Sequence, residues 1–212
     1  CPWCIIGWLK FEKVMAHFAG RLAFRVQWHP FELNPDMPPE GEDATAHVMR
    51  KYGITAEQSR ANTERLAGIA ADLGFTFNRG ADFRMRNSFD AHRLLNWAGA
   101  LEEPDQAAAT GVQTALKLAL FKAHFTDNRD VSDAAVLADA AASVGLDRAR
   151  AVAILAGDDY REAVRVEEAY WADRQVTGVP AFILGGRMLV SDAQDPELFI
   201  RVIESKVLTA AA

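Results

Sequence analysis

The chain has 212 residues, half of them apolar and a quarter charged, with a formal net charge of −6. A chain of this size and composition can bury a proper core, and its positive side chains are scattered among carboxylates, so we expect no nucleic-acid partner. No apolar run approaches the roughly 20 residues that a membrane-crossing helix needs, so we expect a soluble protein with no membrane partner.

Both cysteines lie at the start of the chain, in Cys1-Pro2-Trp3-Cys4. A disulfide between them would close almost no loop, and loop closure is the main source of stabilisation by a structural disulfide. A bond between these sulfurs would therefore serve chemistry rather than stability.

The residues after Cys1 predict a helix, because apolar side chains recur at helical spacing from Pro2 until Gly20. Cys1 then lies near the N-cap, where unpaired backbone N–H groups and the helix dipole favour a thiolate. This predicts Cys1 as the nucleophile with a lowered pKa, and Cys4, on the same side of the first turn, as the resolving cysteine. Pro2 suits the first helical position, and Trp3 adds bulk but no cation that would tune the thiol.

The rest of the chain predicts a strand, a long helical block, a hairpin and a final helix. Residues 22–28 alternate apolar and polar, as a strand does. A two-residue turn at Gly185-Gly186 predicts a hairpin between residues 181–184 and 188–190, followed by an amphipathic helix over about 196–208. The helices of the block are expected near 43–52, 55–73, 88–100, 104–125, 132–144, 147–156 and 158–174.

A second constellation stands directly before the hairpin, in Thr177-Gly178-Val179-Pro180-Ala181. A proline cannot donate to a sheet ladder, and X–Pro bonds adopt the cis form far more readily than other peptide bonds. A cis Val179–Pro180 bond would aim backbone groups at the cysteine pair.

The chain resembles the FrnE-like branch of the DsbA-type thioredoxin-fold oxidoreductases, and the matching stretches run in order along nearly its whole length: 1–7, 30–36, 87–93, 120–125 and 177–182. The resemblance implies catalysis by Cys1, resolution by Cys4, and a loop at Val179 and Pro180 that binds the substrate backbone.

Two further residues, Asn87 and His92, match the family pattern and could line the substrate cleft. A helix-capping asparagine and a hydrogen-bonded histidine explain them more simply.

The implied fold class is α/β, a thioredoxin-like fold interrupted by a large all-helical insertion. We expect the thioredoxin-like domain at 1–40 and 175–212 and the helical insertion domain at 41–174. This topology requires a strand upstream of Cys1. Similar proteins usually lack export signals, so we expect a cytoplasmic location.

The expected reaction is thiol–disulfide exchange with a protein or small-thiol partner, without a required metal or organic cofactor and with glutathione as a candidate co-substrate. Zinc is disfavoured because there is no second cysteine pair and the five histidines form no tight pair. Two alternatives stay open: a glutathione-dependent isomerase or transferase of the 2-hydroxychromene-2-carboxylate isomerase and kappa type, which typically uses serine, and a non-catalytic binding module for peptides or small molecules. Neither the direction of exchange nor the oligomeric state follows from the residues.

Overall fold

The computed structural model describes residues 1–80, 82–102 and 111–208. The chain divides into two compact units, one formed by Cys1–Phe24 with Trp171–Ala212 and the other by Arg25–Tyr170. The predicted domains stay a prediction: they differ from these units by assigning residues 25–40 to the thioredoxin-like domain and residues 171–174 to the helical insertion.

The helices and strands of the described residues follow in chain order: α1 (Pro2–His17), β1 (Glu42–Asp43), α2 (Ala44–Tyr52), α3 (Ala56–Asp72), β2 (Arg84–Met85), α4 (Phe89–Ala100), α5 (Val112–Phe125), α6 (Ala134–Ser143), α7 (Arg148–Ala156), α8 (Arg161–Asp173), β3 (Ala181–Leu184), β4 (Met188–Ser191), α9 (Pro196–Val202) and a π-helical turn (Ile203–Leu208). The predicted helical block is confirmed within these ranges. The predicted start of its fourth helix, at Pro104, lies outside the described residues. None of the described helices is long and apolar enough to cross a membrane.

The hairpin of the first unit pairs β3 with β4 in antiparallel register, from Ala181 opposite Ser191 to Leu184 opposite Met188. The predicted turn at Gly185-Gly186 is present, since the Arg187 N–H donates to the Leu184 carbonyl at 3.2 Å across these two residues. Arg187 adds a third residue before β4 begins. The two glycines adopt positive φ angles of 56° and 70°, which side-chain-bearing residues rarely adopt.

The prediction of a strand over residues 22–28 is wrong for the part of the chain that the structure describes. The side chains do alternate between half-buried and exposed, so the period of two is present. A strand also needs a neighbour that completes its backbone hydrogen bonds, and here the Trp28 N–H donates to the Gln113 side chain at 2.9 Å instead. At Trp28, the Gln113 side chain takes the place that a partner strand would have. The two-residue strands β1 and β2, which pair with each other, had no sequence signal.

A buried arginine fixes the end of α7 in the second unit. The Arg93 side chain is 1% exposed. Its guanidinium donates to the carbonyls of Ile154, Gly157 (2.6 Å) and Asp159 (2.9 Å) and to the Asp90 carboxylate (2.9 Å). Carbonyls at a helix C-terminus have no partners within the helix, and a cation there also complements the helix dipole. Arg93 therefore supplies both hydrogen bonds and charge to that turn.

We expect Arg93→Met to lower the free energy of unfolding by about 3–5 kcal/mol, because it removes the hydrogen bonds of a buried cation to three carbonyls and to the Asp90 carboxylate. Urea unfolding checks this. The matched control is Arg148→Met, which removes an exposed ion pair with Asp139 and should cost much less stability than Arg93→Met. Equal losses in the two variants would contradict the role given to Arg93.

Candidate active site

The two cysteines occupy the first turn of α1. Cys1 is the N-cap residue, and Pro2 takes the first helical position, where a missing N–H costs nothing. The Cys4 N–H donates to the Cys1 carbonyl at 3.2 Å, which closes the turn. Both cysteines are thiols, and the side chains of residues 1–4 are all half-buried. Both sulfur-bearing residues are thus partly accessible to a reaction partner.

The Val179–Pro180 loop lies beside Cys1, although 178 positions separate Cys1 from Val179 in the sequence. The peptide bond between Val179 and Pro180 is cis. The Cys1 thiol donates to the Val179 carbonyl at 3.5 Å, a hydrogen-bonding distance for sulfur. The structure therefore brings together the two sequence motifs, residues 1–4 and residues 177–181.

Contacts within the first unit hold this loop and α1 in place. The Pro180 carbonyl accepts the Asp192 N–H at 2.9 Å, which ties the loop to the residue after β4. The Lys10 ammonium, two turns into α1, donates to the Ala193 carbonyl at 3.1 Å and to the Asp195 carboxylate at 2.7 Å. The two elements that carry the site are thus both tied to the segment between β4 and α9.

An aromatic cluster packs beneath the same elements. The rings of Phe11 on α1, Phe182 on β3 and Phe199 on α9 have centroids 4.9–5.4 Å apart. Phe11 and Phe199 are buried. Ring pairs at these separations bury much apolar area and add specific edge and face contacts, so the cluster stiffens the base of the site.

Gly7 belongs to this site, and the sequence reasoning missed it. A Cβ built on Gly7 would lie 3.1 Å from Cγ of Pro180 and 3.2 Å from Cζ of Phe182. The available signal was a glycine inside a helical pattern, where the residue is unfavourable and often has a packing reason. That signal says nothing about which segment approaches the helix.

Asn87 and His92 lie in the second unit, and their hydrogen bonds are internal to it. The Asn87 side chain accepts the Phe89 N–H at 2.9 Å at the start of α4 and donates to the Met37 carbonyl at 3.4 Å. Nε2 of the buried His92 donates to the Phe31 carbonyl at 3.2 Å. These contacts are structural, and the assignment of both residues to a substrate cleft stays a prediction.

Within residues 1–80, 82–102 and 111–208, no group of three or more His, Cys, Asp or Glu side chains could hold a metal ion.

The sequence matches the model of the DSBA-like thioredoxin domain family over residues 1–204. The chain belongs to this family. Its structure superposes on that of a probable DsbA oxidoreductase from Streptomyces coelicolor with a TM-score of 0.85 and 33% sequence identity, covering 96% of this chain and 84% of the other. These matches confirm the predicted fold class, a thioredoxin-like α/β fold with inserted helices, and the resemblance to DsbA-type proteins.

Two more distant likenesses extend along most of the chain. A 2-hydroxychromene-2-carboxylate isomerase structure matches with a TM-score of 0.67 and 14% identity, covering 100% of this chain and 92% of the other, which shows a shared fold alone. The uncharacterized protein YwbO of Bacillus subtilis strain 168 is 23% identical over 211 residues, covering 97% of this chain and 92% of its own.

Burial lowers the pKa of both His92 and His124 to about 3, so both imidazoles stay neutral in the folded protein at mildly acidic pH. In the unfolded chain a histidine titrates near 6.5. The unfolded state therefore binds more protons below pH about 6.5, and stability falls as pH decreases from there towards the folded pKa of about 3.

We expect His92→Gln to reduce the loss of stability between pH 6 and pH 4 by up to about 1.4 kcal/mol per pH unit, which is the contribution of one histidine. Urea unfolding at a series of pH values measures the slope for both proteins. An unchanged slope in a folded His92→Gln protein would show that the imidazole is not held neutral.

Proposed function

We propose that this protein is a thiol–disulfide oxidoreductase that cycles Cys1 and Cys4 between dithiol and disulfide through a mixed disulfide on Cys1. The observation that carries the proposal is the position of the Cys1 thiol, at a helix N-cap and 3.5 Å from the Val179 carbonyl, with Cys4 in the same helical turn. Membership of the DSBA-like family supports the same class of chemistry.

The reaction takes place in two displacements. The Cys1 thiolate attacks a substrate disulfide, the substrate S–S bond breaks, and the departing sulfur takes up a proton. Cys4 then loses its proton and attacks the Cys1 sulfur, which breaks the mixed disulfide and releases the second substrate thiol. The substrate gains two electrons, the Cys1–Cys4 pair loses two, and the reverse sequence would deliver a disulfide to a substrate.

Residues around the pair would contribute to binding and thiol reactivity. Pro2 starts the helix without an N–H to pair, and Trp3 offers apolar surface between the two cysteines. Val179 and Pro180 would contact the substrate backbone next to the reacting sulfur. The partners we propose are disulfide-bearing proteins or small thiols. Glutathione could act as a co-substrate that reduces the pair again in the cytoplasm. The proposed reaction requires no further cofactor.

A glutathione-dependent isomerase is the second candidate, and the likeness in fold to 2-hydroxychromene-2-carboxylate isomerase is the observation that favours it. Such an enzyme binds glutathione without oxidising it. Glutathione binding that persists in a Cys1→Ser/Cys4→Ser protein would support this candidate against thiol exchange.

The thiolate absorbance of the reduced Cys4→Ser protein should titrate with a midpoint below the free-cysteine pKa of about 8.5, because the positive end of the α1 dipole favours a thiolate at the N-cap. A Cys1→Ser protein should lack this transition. A Cys1 midpoint at or above that of a free thiol would remove the proposed activation.

Cys1→Ser should reduce the rate of oxidised-glutathione and peptide-disulfide reduction to the rate without protein, because a serine hydroxyl cannot form the mixed disulfide. Cys4→Ser should perform the first displacement and accumulate a mixed disulfide on Cys1, visible as added mass. Circular dichroism provides the folding control for both variants. Turnover of Cys1→Ser at the wild-type rate would refute the proposed function.

A further inference from the structure

We propose that Gly7 is a positioning residue of this site, whose missing side chain lets the Val179–Pro180 loop pack closely on α1 and sets the contact between the Val179 carbonyl and the Cys1 thiol. The effect of Gly7 on the reaction rests on the proposed function, whereas its effect on the position of the loop rests on the packing around it.

The space at Gly7 is filled by the loop and the strand that follows it. Gly7 is buried on α1, three residues after Cys4. A Cβ would approach Pro180 to 3.1 Å and Phe182 to 3.2 Å, which is tighter than nine in ten real Cβ contacts. Any residue larger than glycine would require both neighbours to give way by a few tenths of an ångström.

Glycine at this position has no conformational explanation. Gly7 lies inside a regular helix, and its φ is outside the positive range that favours glycine. There glycine costs about 1 kcal/mol relative to alanine. Gly68 provides the comparison, since it also lies inside a helix, α3, and a Cβ there would meet nothing within 4 Å. Space for the loop is what distinguishes Gly7.

The neighbours of Gly7 have little freedom to absorb a Cβ without moving the loop. The Pro180 ring is rigid, and the carbonyl of this residue is bonded to the Asp192 N–H. The Phe182 ring packs against Phe11 at 5.4 Å and Phe199 at 4.9 Å. Close-packed groups transmit displacement, so we expect a methyl group at residue 7 to move the loop away from α1.

Movement of the loop changes the environment of the reacting sulfur. The Val179 carbonyl accepts a hydrogen bond from the Cys1 thiol, which stabilises the protonated form. When the carbonyl moves away, that stabilisation weakens while the positive end of the α1 dipole still favours the thiolate. The thiol pKa should then fall, and substrates that contact the loop should react more slowly.

The experiment compares Gly7→Ala with Gly68→Ala, each in the reduced Cys4→Ser protein, by titration of the Cys1 thiolate absorbance. Gly7→Ala should lower the Cys1 pKa by about 0.5 unit, the equivalent of one weak hydrogen bond. Gly68→Ala should titrate like the parent protein. A loss of stability alone would not produce this difference. A folded Gly7→Ala protein whose titration coincides with the parent would overturn the proposal.

A second variant keeps the test valid if Gly7→Ala does not fold. Gly7→Ala/Phe182→Leu removes the ring atom 3.2 Å from the new Cβ and leaves the contact with Pro180. Compared with Phe182→Leu alone, it should lower the Cys1 pKa in the same direction. Coincident titrations of these two proteins would overturn the proposal.

Exchange kinetics separate this inference from the proposed function. With both cysteines present, Gly7→Ala should lower kcat/KM for a disulfide-bonded peptide several-fold more than for oxidised glutathione, because a peptide can contact more of the loop. Equal effects on the two substrates would count against loop positioning. A wild-type protein that exchanges neither substrate would refute the proposed function, whereas the titrations would still decide the role of Gly7.

Discussion

The contact between the first turn of α1 and the loop before β3 is the constraint on which the site depends. It joins residues at opposite ends of the chain, and closing so long a loop carries an entropic cost that grows only slowly with length. One weak thiol–carbonyl bond cannot offset that cost. Three further interactions stabilise the contact: the hydrogen bonds of Lys10, the bond between the Pro180 carbonyl and the Asp192 N–H, and the packing of the Phe182 ring.

In the second unit, side chains bond to the backbone of a segment that has no partner strand among the described residues. The Gln113 side chain accepts from the Trp28 N–H at 2.9 Å and donates to the Trp28 carbonyl at 3.0 Å, so one amide replaces two ladder bonds. The His92 side chain supplies one such bond, from Nε2 to the Phe31 carbonyl. Both side chains are buried, where an unpaired backbone group would be costly. Polar residues on α4 and α5 thereby fix this segment.

The sequence patterns correctly predicted those features of the structure that depend on interactions between neighbouring residues. The position of Cys1 at a helix start, the helical block, and the hairpin around Gly185 follow from periodicity, capping and turn chemistry, which are properties of neighbouring residues. The prediction of a strand over residues 22–28 was wrong because alternation of apolar and polar residues indicates burial but not whether a partner strand is present. Gly7 was missed for a related reason, since its value lies in the approach of Pro180, far away in sequence.

The fold alone does not decide the reaction, because the isomerase structure shares it at 14% identity. The proposed thiol exchange depends on two sulfur atoms at the first turn: one at Cys1 that can bond covalently to another sulfur, and a second at Cys4 that can release it. A hydroxyl at the first position could help to orient a bound thiol but could not form a disulfide. The side chain at residue 1 would therefore separate the proposed thiol exchange from the chemistry of the glutathione-dependent candidate.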